Sequence, residues 1–152
     1  MRPVQDAVKV LFQELLKGLP QDCALPRCTG DDRSTMVELV PSRTGAASLS
    51  AIVPANESEG VTLIAGRGSF FEIPEGGRRY TNLPLIEEMK AICNAVIAGH
   101  LEEWVVLDGD EVLQGRGILQ LERPITVRWS HLSFRLFQRK RQTHHRYEPW
   151  VG

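Results

Sequence analysis

The side chains in this sequence that could do chemistry fall into three groups, and their spacing favours binding over catalysis. Carboxylates stand in adjacent pairs at Glu87-Glu88 and Glu102-Glu103, with Asp108, Asp110 and Glu111 close behind. Adjacent acids on a helix or strand point in different directions, so neither pair makes an acid/base couple, and each reads as solvated charge. Their accumulation is more informative. Glu102, Glu103, Asp108 and Asp110 would form an acidic belt that steers a basic protein partner and repels nucleic acid.

Arginine twice stands between glycines, in Gly66-Arg67-Gly68 and Gly115-Arg116-Gly117, each between apolar runs, with Pro74 and Pro124 ending the strand that follows. Read plainly, these are two turns or bulges that need glycine's backbone freedom. Read as chemistry, Arg67 and Arg116 project from one end of a sheet and grip an anion, with Trp104 or Trp129 beside them. The first Gly-x-Gly is no nucleotide loop, because Ser69-Phe70-Phe71 reads as strand and no helix N-terminus follows to receive a phosphate.

The third group is a basic C-terminal stretch. Residues 131–152 hold five of the 18 basic side chains and only one of the 19 acidic ones, although the whole chain carries a formal charge of −1. Arg139, Lys140 and Arg141, interleaved with Phe134, Phe137, Tyr147 and Trp150, pair cations for phosphates with aromatic faces for bases. The body of the chain lacks the overall basicity such binding normally needs. The same tail could instead neutralise the acidic belt of its own chain or of a second copy.

Three cysteines cannot all pair within one chain. Cys93 falls on an apolar helical stripe and reads as a buried thiol, while Cys23 and Cys28 read as reduced loop thiols, with a strained disulfide as the alternative. No second cysteine pair or nearby histidine completes a zinc set, so neither a metal nor a cofactor is expected. His100 reads as a partner for a helix C-terminus. His131 has no nucleophile beside it, and His144-His145 fall in the basic stretch. Phosphate-loop, dinucleotide-fold, nucleophile-elbow and His-Glu-x-x-His signatures are all missing.

The elements that must position these groups are written in the hydrophobic pattern. Leu85, Ile86, Met89, Ile92, Cys93, Val96 and Ile97 line one face of a helix over residues 83–98, with Asn82 as N-cap and Gly99 as stop, and Glu87, Glu88, Lys90 and Asn94 outside. Val4, Val8, Leu11 and Leu15 do the same over 3–17. Residues 20–34 lack periodicity and read as a surface loop. Strands are expected at 36–40, 49–53, 61–64 and 69–73, as an antiparallel meander. More follow at 103–107, 111–113, 118–121 and 125–129.

The pattern predicts an α+β fold in the order α-β-β-β-β-α-β-β-β, with one twisted, antiparallel and possibly mixed sheet of about six to eight strands. Both helices would pack on one face of that sheet. Residues 1–137 would be a single domain and 138–152 a loosely ordered basic tail. No run approaches the roughly 20 apolar residues of a membrane span, and the N-terminus lacks the pattern of a cleaved leader, so the reading is cytoplasmic. Functionally the sequence reads as a non-enzymatic binding protein that docks on an unidentified protein or on itself, as a small inhibitor or immunity-type factor does. The alternatives are a small-molecule or anion site at Arg67 and Arg116, and nucleic-acid binding by the tail.

Overall fold

The computed structural model describes residues 3–130 and 140–152. Val8, Leu11, Phe12 and Leu15 are buried along one side of α1 (Pro3–Lys17). Met89, Ile92, Cys93 and Val96 are buried along α2 (Leu85–Ile97). Gly99, at φ +80°, ends α2 as expected. At the other end the cap is Pro84 rather than Asn82, with no side-chain cap bond. Glu88, expected in solvent, is fully buried and instead ties down the preceding loop. It accepts from the backbone N–H groups of Arg79, Tyr80 and Thr81 and from Thr81 Oγ1. Four donors make that burial tolerable for a carboxylate.

The fold class is α+β, but the strands form two antiparallel sheets where one was expected. The first runs in chain order: β1 (Ala24–Gly30), β2 (Ser34–Pro41), β3 (Leu49–Pro54), β4 (Val61–Ala65) and β5 (Ser69–Ile73). The second contains β6 (Leu101–Asp108), β7 (Glu111–Leu119), β8 (Ile125–Ser130) and β9 (Lys140–Arg146), in the order β8-β7-β6-β9. Alternate side chains of β2 to β5, including Leu39, Leu49, Leu63 and Phe71, face α1 and α2 in one core that also takes in Leu101, Leu119 and Val127 from the second sheet. The helices touch each other; α1 lies on β2 and β3, and α2 reaches β7.

Close packing marks the junction between the sheets. Edge strand β5 meets β7 and β8 through side chains rather than a hydrogen-bonded ladder. A Cβ on Gly117 would collide with Ser69 Oγ, and a Cβ on either Gly68 or Gly115 would strike the Trp129 indole. Gly68 and Gly115 therefore both abut the Trp129 indole, and Gly117 abuts Ser69, at the junction. Only Gly66-Arg67-Gly68 is a turn; Gly115-Arg116-Gly117 lies inside β7, where the glycines supply clearance rather than unusual dihedrals. Gly117→Ala is expected to cost about 1–3 kcal/mol by overpacking. Gly76→Ala, where a Cβ meets open space, should stay within about 0.5 kcal/mol of wild type. Paired thermal melts check both.

Two further expectations need correction. Within 20–34, residues 24–30 form β1, an edge strand in which every residue after Ala24 is exposed. Its pairing with β2 holds it without any hydrophobic alternation. Within the presumed tail, β9 pairs with β6 along its full length, and Trp150 is 3% exposed in the core. The tail is not loosely ordered there, because ladder bonds and a buried indole fix it. Among the described residues, no helix is long and apolar enough to cross a membrane.

Candidate functional site

The second sheet carries a cross-strand row on the face opposite Leu101, Val105 and Leu119. Its register sets Arg128 of β8 beside Arg116 of β7, Arg116 beside Trp104 of β6, and Trp104 beside His144 of β9. The Arg116 guanidinium lies 4.5 Å from the centre of the Trp104 ring. The His144 imidazole stacks on the same indole at 4.6 Å, 8° from parallel. Because β6 runs between β7 and β9, the indole is held between a cation and a second ring. His144 Nε2 is 2.9 Å from Glu102 Oε2, and Arg146 Nε is 3.6 Å from Glu102 Oε1. This end of the row is neutralised.

The other end is not. Arg116 and Arg128 occupy paired positions on neighbouring strands, an arrangement that is destabilising for like charges unless something negative relieves it. Among the described residues, neither guanidinium has a carboxylate within ion-pair distance. Arg116 Nε is buried with no acceptor. Both arginines line a hollow of about 960 Å³, together with Ile64 and Phe70 from the first sheet and Trp104, Val106 and Gln114 from the second. The Trp129 indole forms part of the wall.

The residues singled out in the sequence have separated roles. Arg116 lines this hollow with Trp104 and Trp129, whereas Arg67 lines a different one with His145 and Tyr147, so the two do not grip one anion together. Glu103 is fully buried and cannot belong to an acidic docking surface. It accepts from Arg67 N at 2.8 Å, Ser69 N at 3.1 Å, Ser69 Oγ at 2.5 Å and the Tyr147 hydroxyl. Burial and the Glu103 carboxylate together hold the Tyr147 phenol well above its ordinary range. Beside it, burial and then the Arg67 charge hold His145 below the usual imidazole value.

Glu102 is engaged by Arg146 and His144, so the basic stretch does neutralise part of the belt of its own chain. Asp108 stands opposite Lys140, leaving Asp110 exposed in the β6–β7 turn. Lys140 and Arg141 are exposed on edge strand β9, while Arg139, His131, Phe134 and Phe137 lie outside the described residues. Cys23, Cys28 and Cys93 are all thiols, and burial pushes Cys93 up to about 12. No three His, Cys, Asp or Glu side chains gather into a metal site among the described residues.

Arg128 and His144 had no place in the sequence reading of the anion site, because cross-strand register is not written in local pattern. Arg128 does sit on the polar phase of β8, with Thr126 and Ser130, opposite Ile125, Val127 and Trp129. Comparison with known proteins gives no match to a family model, to a curated protein or to a solved structure.

Proposed function

We propose that this chain works by binding, and that the hollow beside Arg116 and Arg128 receives an anionic ligand. The observation that carries this reading is that the β7–β8 register pairs Arg116 with Arg128 while, among the described residues, neither has a carboxylate at ion-pair distance. The Trp104 ring beneath the Arg116 Cζ helps hold that guanidinium fork in place before a ligand arrives. An apolar wall behind the fork lowers the local dielectric and strengthens the attraction. The acidic belt supports docking less well, since Glu103 lies inside the protein and Glu102 is paired.

The test is thermal stabilisation by a panel of small carboxylated and phosphorylated compounds. A ligand at about 100 times its dissociation constant adds about 2.7 kcal/mol to the folded state, a rise of several degrees in Tm for a chain of this size. Arg116→Gln combined with Arg128→Gln should abolish the rise, and Arg67→Gln should leave it intact. A double variant that responds like wild type would contradict the reading.

A further inference from the structure

We infer that the ligand of this hollow is an organic acid, a carboxylate carried on an apolar body, rather than a bare inorganic anion or a nucleic-acid phosphate. This rests on the anion-site reading above and adds the ligand's class. A site for a bare anion needs only cations and N–H donors, yet here Ile64, Phe70 and Val106 share the lining with the two arginines. At about 960 Å³ the hollow is of the size that accommodates ligands of many heavy atoms, far more than one carboxylate or phosphate group fills.

The arginine geometry sets the headgroup's direction of approach. Because Arg116 Nε is sealed in, the side-on approach through Nε and one terminal nitrogen is closed. What remains is the end-on fork of the two terminal nitrogens, which pairs with two oxygens of a carboxylate or of a phosphate alike, so the apolar lining is what favours a carboxylate on an apolar body. Base stacking is disfavoured as well: the Trp104 ring, the natural platform for a nucleobase, is already held between Arg116 and His144. The apolar body would therefore lie against Phe70 and Ile64, with its carboxylate toward Arg116 and Arg128.

Calorimetric titration of the full chain with acetate, benzoate, 2-naphthoate, inorganic phosphate and a thymidine decanucleotide tests this. Affinity should climb at least tenfold from benzoate to 2-naphthoate, with acetate and phosphate weakest and the oligonucleotide below 2-naphthoate. Phe70→Ala should weaken 2-naphthoate at least fivefold while leaving acetate unchanged; Ile64→Thr provides the same comparison if the Phe70 variant fails to fold. Equal affinity for phosphate, acetate and 2-naphthoate, all lost in the Arg116→Gln, Arg128→Gln double variant, would overturn the organic-acid inference and keep the anion site. Binding of 2-naphthoate that ignores the double variant would overturn both, and so would no binding of any probe.

Discussion

Glu103→Ala should destabilise the fold by roughly 3–5 kcal/mol, because it strands donors that have no other acceptor. The Ser69 N–H and hydroxyl are buried against this carboxylate, and Arg67 N and the Tyr147 hydroxyl are partly buried on it. Those donors come from the β4–β5 turn, the first residue of β5 and the segment after β9, while Glu103 belongs to β6. One side chain thus joins the first sheet, the second sheet and the C-terminal segment. Glu102→Ala, one residue away, should cost at most about 1 kcal/mol, since the pairs with His144 and Arg146 are solvent-exposed. Urea unfolding of the two variants gives the comparison. Equal losses would mean that Glu103 is no hub. Charge reversal across the belt must therefore omit Glu103, whose loss would be read as lost docking when it is lost structure.

The second large effect is expected at the far end of the chain. Trp150→Ala should cost about 3–5 kcal/mol, the range for deleting a large buried aromatic. The indole is 3% exposed, and its Nε1 donates to Ala47 O at 2.9 Å. The backbone N–H of Trp150 donates to Ile97 O, and its carbonyl accepts from Cys23 Sγ. The segment thereby clamps the end of α2 to the β2–β3 connection. Removing residues 147–152 should produce a protein that melts more than 10 °C lower by circular dichroism, given roughly 2–4 °C per kcal/mol at this size. An unchanged melt would show that the clamp carries no stability. Deleting 138–152 to probe nucleic-acid binding would remove β9 and this clamp together, so charge substitutions at Lys140 and Arg141 are the cleaner probe.

How much could be read in advance follows from which forces leave a local trace. The stripe on α2 was legible because burial of one helical face repeats every three to four residues, and β2 to β5 were legible because alternating burial does so every two. Strand β1 was not, since its side chains are exposed and only its backbone is engaged. Strand β9 was missed for the same reason: Lys140 to Arg146 contains no apolar residue.

Glycine misled in another way. Gly68 and Gly115 look alike in the chain and both clear space for Trp129, but the first does so at a turn and the second within a strand. The two buried glutamates did leave a signal. Glu103 is in phase with Leu101, Val105 and Leu107, and Glu88 falls three residues after Leu85 and four before Ile92, on the apolar stripe. A charge on a buried phase marks a satisfied internal carboxylate more often than a solvated one. For the binding site, Arg116 and its aromatic neighbours were legible as residue types. The pairing with Arg128, and the separation from Arg67, came only with the register of β7 on β8.

The site is tested most directly by following individual N–H resonances while 2-naphthoate is titrated into the full-length protein. The Arg116 Nε–H and the indole N–H signals of Trp104 and Trp129 should move together and saturate. The Trp150 indole, bonded to Ala47 and outside the lining of the hollow, should stay in place. Shifts confined to Trp150, or an Arg116 signal unmoved at saturating ligand, would contradict a binding site at Arg116 and Arg128.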